Sequence, residues 1–504
     1  MKVYLAGFNV DATVLEEMKK KFPEREDVTP EVLSAAYARI SRDPRPINEI
    51  RQDAKSEVAR SRKSNSTIIF KMGHHSVAEH AVFNLDILGV SRLAMEELEK
   101  FRLCSYTEKS QRYITLDKDY VVPGEIKGTK FEKDFISLIH KQNDAYAILF
   151  EKLKKHVFDK NAALVQNPKN HNLLEGLAKE DARYITSLAT ESQVGLTVNA
   201  RNLELMLRRF ASSPLEEVKE LGTAIYEQIQ KVAPSVVLFH EANDRDLKTY
   251  PELKELAEKF AGGLSEDISA QTFEEVQLVE FTNGGDDIIV ASLLHVASGK
   301  TYEECRKIVS GMTEDMKNQI FKIAWRNMQL YDSMLREFEY VNLTYNIILS
   351  SACFGQLKRH RMATITSQDY NPQLGVTVPE SIKEISMEDY FRNIIVQTDA
   401  LYQEIIREIP LAAPYILTNA HRKRVLIRVN ARELYHISRL REDAHAQWDI
   451  QCISRIMTEQ AKKVMPLTFG LIGGKDRYNE IYQNIFGELP KVKEVALPGA
   501  RKIQ

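Results

Sequence analysis

The chain has few cysteines and no long apolar run. Its 504 residues include only four cysteines, which are widely spaced and form no CxxC pair, so we expect buried free thiols in a reducing compartment. No stretch approaches the roughly 20 apolar residues that a membrane-spanning helix needs. The net charge of −2 gives no general reason to expect binding to nucleic acid or to a membrane surface. These absences predict a cytoplasmic protein with no nucleic-acid partner and no membrane partner.

The length and the periodicity indicate a helix-rich chain of more than one domain. A chain of 504 residues is too long for a single hydrophobic core, and its hydrophobic content of 43% is that of a globular protein. Apolar residues recur at three- and four-residue spacing through most of the chain, which is typical of amphipathic helices. The N-terminal stretch MKVYLAGFNVDATV instead alternates like a β-strand, and acidic Asp11 argues against a signal peptide.

An internal repeat divides the chain. Three segments of the first half resemble three segments of the second half, in the same order and with similar spacings. The pairs are PEVLSAAYARIS ending at Ser41 with GDDIIVASLLHVAS ending at Ser298, residues 90–102 with 349–361, and residues 196–210 with 427–441. The polar segment 241–271 lies between the repeats, and we predict that it is a linker with one short helix. The predicted domains are therefore residues 1–240 and 272–504.

The two repeats retain different polar residues. The offset between the repeats is 259 residues for the second matched segment and 231 residues for the third. Arg361 aligns with Arg102 and is unchanged. The aligned residues that differ are Arg359 with Lys100, His360 with Phe101, Gln356 with Glu97, Ser110 with Asp369, Arg112 with Asn371, His436 with Leu205, and Arg441 with Phe210. The basic cluster, residues 359–361, follows an apolar helix. Cations are costly to bury without a partner, so we expect this cluster to face an anionic group. Each repeat has polar groups that the other repeat lacks.

These motifs resemble those of the flavin-dependent thymidylate synthases. That family has an Arg-His-Arg followed by seven residues and a serine, a His-x-Ser/Thr-x-x-Glu-His upstream, and an Asn-x-Arg downstream with a further arginine nine residues later. The first repeat is similar at HHSVAEH (74–80) and KFRLCSYTEKSQRY (100–113), where Lys-Phe stands in place of Arg-His. The second repeat is similar at QLKRHR (356–361), NAR (430–432) and HAQWDI (445–450), but it lacks the upstream histidine motif.

The resemblance implies a fold and an assembly. The fold would be α+β, repeated twice in tandem, with each copy a small β-sheet packed with several helices. Members of the family are homotetramers whose active sites are shared between neighbouring subunits. One chain with two repeats would correspond to two subunits, and a homodimer would correspond to the tetramer. The sequence leaves open whether a site forms within one chain or across the dimer.

The resemblance also implies a reaction and a set of site residues. The reaction would methylate dUMP, with methylenetetrahydrofolate as carbon donor, FAD as hydride carrier and NADPH or NADH as reductant. Arg441 would be catalytic, because its charge would stabilise negative charge that develops on the uracil ring. The dUMP-binding residues would be Gln356, Arg359, Glu108, Ser110, Arg112 and Arg183. The FAD-binding residues would be His74, Ser76, Glu79, Arg359, His360, Arg361, Asn430, Arg432 and His436.

Several of these residues have simpler interpretations. HHSVAEH contains ligand types that zinc uses, but its spacing fits neither HExxH nor HxxEH, so we rank flavin contact first, core packing second and metal third. The basic cluster 359–361 alternatively forms a solvated helix end, and Arg441 a surface ion pair with Glu442. Ser110 alternatively caps a helix. The basic run 421–428 is predicted to be a solvated loop that leads into a strand.

Two other functions stay open on the sequence alone. The first is a related flavoenzyme that acts on another pyrimidine nucleotide or uses another one-carbon donor. The second is a non-catalytic, nucleotide-binding scaffold left after the duplication. The loss of polar residues in both repeats favours the scaffold, whereas the complementary pattern of that loss argues for a shared active site.

Overall fold

The computed structural model describes residues 9–40, 43–112, 114, 116, 119–261 and 274–491. Within these ranges the chain is largely helical and contains two small antiparallel sheets. None of the described helices is both long enough and apolar enough to cross a membrane.

The helices follow the apolar periodicity of the sequence. In chain order, the described helices are α1 (Ala12–Lys21), α2 (Glu31–Arg39), α3 (Ile47–Ser56), α4 (Val58–Asn65), α5 (Arg92–Leu98), α6 (Glu132–Lys160), α7 (Ala162–Val165), α8 (His171–Ala182), α9 (Ala200–Ala211), α10 (Glu216–Val232), α11 (Asp244–Ala261), α12 (Gly285–Ser298), α13 (Tyr302–Ser310), α14 (Glu314–Trp325), α15 (Ser351–Leu357), α16 (Glu380–Glu384), α17 (Glu388–Glu408), α18 (Ala431–Arg441), α19 (Trp448–Val464) and α20 (Tyr478–Phe486). Short 3-10 helices at His75–His80 and Arg183–Ile185 carry predicted site residues.

Each repeat contains one antiparallel sheet. The strands are β1 (Val82–Ser91), β2 (Cys104–Glu108), β3 (Glu191–Asn199), β4 (Val276–Phe281), β5 (Asn342–Ser350), β6 (Thr364–Ser367) and β7 (Arg422–Asn430). The strand order is β1-β3-β2 in the first sheet and β4-β5-β7-β6 in the second. The order β5-β7-β6 therefore repeats the order β1-β3-β2, and β4 is an additional edge strand.

The strand registers of the two sheets are equivalent. Val82 pairs with Asn199 at the start of β1, and Asn342 pairs with Asn430 at the start of β5. The offset between the repeats is 260 residues at this point and falls to 259 residues beyond a bulge in β1 at Gly89. Gly89 has a φ of 74°, a left-handed conformation that glycine adopts without steric cost. One inserted residue thus explains the change of offset.

The junctions between strands and helices are also equivalent. Ser91 caps α5 and Ser350 caps α15, and each hydroxyl accepts a hydrogen bond of 3.0 Å from the backbone three residues further on. Asn199 caps α9 and Asn430 caps α18 with their side-chain oxygens. These residue types are strong N-caps because their oxygens satisfy backbone donors that a helix start leaves unpaired. Corresponding residues of α5 and α15, and of α9 and α18, therefore occupy equivalent places in the two repeats.

The described residues pack as two compact units. The first unit comprises Met1–Glu266 with Glu384–Leu417, and the second comprises Asp267–Lys383 with Thr418–Gln504. The first unit thus contains α17 from the second repeat, and this helix packs on α6 from the first repeat. Gln142 of α6 donates hydrogen bonds to Thr398 Oγ1 at 2.9 Å and to the Ile416 carbonyl at 3.0 Å, and all three are buried in the first unit. The repeats are therefore joined by buried contacts as well as by the chain.

Two local predictions at the edges of the repeats are corrected by the structure. Residues 12–14, the end of the predicted strand, lie in α1, because the side chain of Asp11 accepts a hydrogen bond of 2.8 Å from Thr13 N and caps the helix. The first eight residues of the predicted strand lie outside the described residues. The predicted linker holds an 18-residue helix, α11, rather than a short one. Its start is fixed by Asp246, which pairs with Arg208 at 2.9 Å and with Arg209 at 3.0 Å.

The basic run 421–428 lies almost entirely within strand β7, which begins at Arg422, and not in a solvated loop before a strand. Val425 and Ile427 alternate with exposed residues and are fully buried in the core of the second unit. Lys423 is also buried, with its ammonium 3.7 Å from the ring centroid of Phe354 and 4.3 Å from that of Tyr370. Cation–π contacts of this kind offset part of the cost of removing a lysine from water. The aliphatic residues between the cations decide the structure of the run.

Candidate active site

Arg441, the predicted catalytic residue, is held by two other predicted site residues. It is the last residue of α18, and it donates from Nε to His360 Nε2 at 2.9 Å and from Nη1 to Gln356 Oε1 at 3.2 Å. A guanidinium can only donate, so both partners must act as acceptors. These two hydrogen bonds fix the plane of the guanidinium, and they differ from the surface ion pair with Glu442 that the sequence left open.

His360 is buried and neutral. Its exposure is 3%, and burial, reinforced by the charges of Arg441 and His436, holds its pKa well below the usual value. Because Nε2 accepts from Arg441, the proton of the neutral ring must be on Nδ1. Nδ1 lies 3.6 Å from Glu433 Oε1, and the ring of His436 contacts that of His360 edge-on, with centroids 5.7 Å apart.

The two other cations of the Arg-His-Arg motif are more accessible. Arg359 is exposed and Arg361 is half-buried, in the turn between α15 and β6. The preceding helix α15 is almost wholly buried, as the apolar sequence before the motif predicts. A buried helix that ends in accessible guanidinium groups suits the binding of an anion, since guanidinium forms bidentate hydrogen bonds with phosphate.

Asn430 and Arg432, which the sequence assigns to FAD, have structural contacts. The Asn430 side chain caps α18 by accepting from Glu433 N at 2.8 Å. Arg432 donates to Glu339 Oε1 at 2.7 Å and to the Met334 carbonyl at 2.8 Å. These contacts fix the start of α18, and hence the position of Arg441 at its other end.

The first unit holds a second polar group, at the end of β2. Glu108 lies at the end of this strand and pairs with Arg92 of α5 at 3.2 Å, where both side chains are almost fully buried. Ser192 of β3 also donates to Glu108 Oε1 at 3.3 Å. Ser110 follows the strand, and its hydroxyl accepts from Arg112 N at 3.1 Å, so Ser110 shapes a turn and caps no described helix.

Arg112 and Arg183 lie in the same unit around one carboxylate. Arg112 forms an ion pair with Glu180 of α8, and the charges of Arg112 and Arg183 both act on the Glu180 carboxylate. Burial raises the pKa of Glu180 against these charges, and burial lowers the pKa of Arg183. Arg183 is only 5% exposed and stays protonated, as arginine does in proteins. The structure thus places the four predicted dUMP-binding residues of the first repeat in one unit.

The HHSVAEH motif lies on the surface of the first unit. His74 and Ser76 are exposed, and Glu79 pairs with Arg201 of α9 at 2.5 Å. His80 packs edge-on against Tyr37, with ring centroids 4.5 Å apart. Among the described residues, no three or more His, Cys, Asp or Glu side chains are grouped as they would be to hold a metal ion.

Three residues of these polar groups were missed in the sequence. Arg92 is the partner of Glu108, Glu180 is the partner of Arg112, and Glu433 lies beside His360. Arg92 and Glu180 carried a signal, since Arg92 lies in the repeated segment 90–102 and Glu180 precedes Arg183 by three residues on the same helical side. Glu433 carried none, because only the folded chain brings α18 against the Arg-His-Arg turn.

Comparison with known proteins gives the family. The family model described as "Thymidylate synthase complementing protein" matches residues 26–235 and 277–467, once in each repeat. The two matches together span more than half of the chain, and the chain belongs to this family. The repeated match also confirms the tandem duplication and the α+β fold.

The relatives fall into long and short proteins. The UPF0159 protein of Thermoplasma acidophilum is 24% identical over 496 residues, which cover 87% of this chain and 94% of that protein. The UPF0159 protein of Chlamydia muridarum is 24% identical over 439 residues, which cover 83% of this chain and 81% of that protein. A flavin-dependent thymidylate synthase of Clostridium tetani is 29% identical over 212 residues, which cover 41% of this chain and 80% of that protein. The short relative thus matches over a length close to that of one repeat.

Proposed function

We propose that the chain is a flavin-dependent thymidylate synthase. It would convert dUMP to dTMP, with methylenetetrahydrofolate as carbon donor and NADPH or NADH as reductant. The observation that carries the proposal is the arrangement of Arg441, His360 and Gln356 by hydrogen bonds of 2.9 and 3.2 Å in a member of this family. Relatives named flavin-dependent thymidylate synthase, such as that of Clostridium tetani, support it.

In this proposal Arg441 acts on the uracil ring by electrostatics. A guanidinium fixed by two acceptors loses little orientation during the reaction, and it can stabilise negative charge that develops on the bound base. His360 serves as a neutral acceptor, because burial keeps its pKa low and prevents a second positive charge beside Arg441. Gln356 fixes the other edge of the guanidinium and orients the pyrimidine.

The phosphate of dUMP would meet arginines from both repeats. Arg359 of the second repeat is exposed, while Arg112 and Arg183 of the first repeat share the carboxylate of Glu180. Arg112 is half-buried and Arg183 is buried, and guanidinium groups suit phosphate because they form bidentate hydrogen bonds with it. Ser110 supplies a hydroxyl and Glu108, held by Arg92, an acceptor for the sugar or the base.

The residues of the second repeat fit a flavin. Arg359 and Arg361 offer guanidinium groups to a diphosphate, and His360 lies between them in the same turn. From the first repeat, the exposed His74 and Ser76 and the half-exposed Glu79 would complete the contacts. When bound, the flavin supplies the hydride chemistry that amino-acid side chains lack. A cation near the ring system favours the reduced, anionic form of the cofactor.

The assembly follows from the complementary residues of the repeats. The proposal pairs the first-repeat group with the second-repeat group, so that each chain supplies the parts of one working site. A homodimer would then hold two working sites and take the place of a four-subunit assembly. Mixing Ser110→Ala, Arg112→Ala chains with Arg441→Ala chains, with proven subunit exchange, tests where the site forms. Recovered activity indicates a site between chains, and no recovery indicates a site within one chain.

The test of the function is an assay for dTMP. Purified protein with FAD, NADPH and methylenetetrahydrofolate should convert dUMP to dTMP, and omission of any one component should stop the reaction. Parallel reactions with UMP and dCMP detect a related flavoenzyme that prefers another pyrimidine nucleotide. A protein that binds dUMP but shows no flavin absorbance after reconstitution with FAD, and no turnover, would be the non-catalytic scaffold and would refute the proposal.

A further inference from the structure

Glu433 is a buried carboxylate next to His360. It lies on α18 with 8% exposure, and its Oε1 is 3.6 Å from His360 Nδ1. In the first repeat the residue at the equivalent place is Asn202, and the equivalents of His360 and Arg441 are Phe101 and Phe210. The acid is therefore found only in the repeat that has the histidine and the arginine.

The geometry restricts the protons of this cluster. Arg441 Nε donates to His360 Nε2, which requires a lone pair on Nε2 and the ring proton on Nδ1. The alternative tautomer would point an N–H from Nε2 at the N–H of Arg441, and the hydrogen bond would be lost. A negative charge beside Nδ1 favours the tautomer that places the proton there.

Two opposing effects act on the pKa of Glu433. Burial raises the pKa of its carboxyl, and the electrostatic effects of His436 and Arg432 act against that rise. Arg432 is in turn paired with Glu339 at 2.7 Å. Glu339 lies on the 3-10 helix Arg336–Tyr340. The charge of Arg432 is thus shared with Glu339, and Glu433 lies beside His360.

We propose that Glu433 is a positioning residue for Arg441. Its carboxylate holds His360 in the Nδ1–H tautomer, and that tautomer presents the acceptor that fixes the Arg441 guanidinium. Glu433 contacts neither of the reacting molecules in this account and acts only through His360. The kinetic consequence rests on the proposed function, whereas the tautomer itself does not.

The direct test is the tautomer of His360 by NMR. Long-range ¹H–¹⁵N correlation on ¹⁵N-histidine-labelled protein distinguishes the two neutral tautomers, and His360→Gln assigns the signal among the 12 histidines. The wild-type protein should show the Nδ1–H form. Glu433→Met and Glu433→Gln both keep the approximate length of the side chain and remove its negative charge, so both should lose that form. An Nε2–H or doubly protonated ring in the wild type would overturn the proposal, and so would an unchanged Nδ1–H signal in Glu433→Met.

The kinetic test is a double-mutant cycle. Glu433→Met should lower kcat for dTMP formation about tenfold, because it removes a negative charge next to His360 Nδ1 and so weakens the acceptor that orients Arg441. In an Arg441→Ala background the same change should have almost no further effect, because the two residues act through one contact. Equal losses in both backgrounds would mean a general structural role and would refute the positioning role. The matched control is Glu304→Gln, since Glu304 is also the third residue of a helix but is exposed on α13.

The NMR test and the kinetic test distinguish a failure of the proposed role of Glu433 from a failure of the proposed function. If the wild-type protein makes no dTMP, the proposed function fails while the NMR result still decides the role of Glu433. If Glu433→Met does not fold, the Glu433→Gln variant decides it: loss of the Nδ1–H form supports the positioning role, and an unchanged Nδ1–H signal refutes it. Thermal unfolding of each variant, compared with the control, shows whether the comparison is between folded proteins.

Discussion

The ring of Phe101 packs edge-on against the ring of Phe210, with centroids 5.8 Å apart and an interplanar angle of 79°. These two positions correspond to His360 and Arg441 of the second repeat, which contact each other through a hydrogen bond of 2.9 Å. The same pair of positions is thus in contact in both repeats, once as an apolar aromatic pair and once as a polar pair. In the first repeat the two side chains pack together but have no polar groups.

The first prediction compares truncation at these equivalent positions. Phe210→Ala should lower the free energy of unfolding by about 3 kcal/mol, because it removes a large buried side chain and leaves a cavity. Its activity per folded molecule should stay within about twofold of wild type. Denaturant unfolding and dTMP formation measure the two quantities. A loss of activity without a loss of stability in Phe210→Ala would show that the first repeat keeps a catalytic role at this position.

The second prediction concerns Arg441. Arg441→Ala should reduce kcat at least about a hundredfold, the cost of one preorganised electrostatic contact, and should leave FAD bound. Single-turnover assays and the flavin absorbance of the reconstituted protein measure these effects. Arg455→Ala is the control, since Arg455 is an exposed arginine on the neighbouring helix α19. Near-normal turnover in Arg441→Ala would remove this residue from the mechanism.

The third prediction is a pH dependence of stability that arises from His360. Burial holds the pKa of His360 well below the usual value, so below about pH 6.5 the unfolded chain binds a proton that the folded chain does not. The contribution of His360 to stability is therefore present above this pH and is lost as the pH falls. Between pH 6 and pH 5, wild type should lose about 1 kcal/mol more unfolding free energy than His360→Gln.

The control for this pH effect is a histidine on the surface. His295 is exposed on α12, so His295→Gln should follow the wild-type curve. Denaturant melts of the three proteins at several pH values provide the comparison. Parallel curves for wild type and His360→Gln would mean that His360 titrates normally in the folded chain.

The fourth prediction concerns the HHSVAEH motif. EDTA treatment followed by gel filtration should leave the activity of FAD-loaded enzyme unchanged, because the motif has the spacing of neither zinc signature. Elemental analysis of the untreated protein is the companion measurement. Stoichiometric zinc that disappears together with the activity would assign the motif to metal instead.

The sequence predicted the duplicated fold because the repeats share local signals. Ser91 and Ser350, and Asn199 and Asn430, are helix caps that depend on a few neighbouring residues, so they can be recognised without knowledge of the fold. The position of α17 in the first unit was not predictable in this way. It depends on contacts such as Gln142 with Thr398, which join residues 256 positions apart.

The candidate site was also predictable only in part. The resemblance to the family selected Arg441, His360 and Gln356, and the structure brings these three residues together. Asn430 was also selected, and in the structure its side chain is a helix cap. Glu433 was not selected, because its contact with His360 depends on how α18 packs against the turn after α15. A motif defines which residues are present but not the partners that tertiary packing gives them.

The central claim is that both repeats supply one working site, and dUMP binding tests it most directly. Calorimetric titration of the FAD-loaded wild type should give one dUMP per chain. Arg183→Ala in the first repeat and Arg359→Ala in the second should each abolish that same binding event, while Arg455→Ala should leave it intact. Two dUMP molecules per chain in the wild type, or full binding retained by either of the two variants, would contradict a single site built from both repeats.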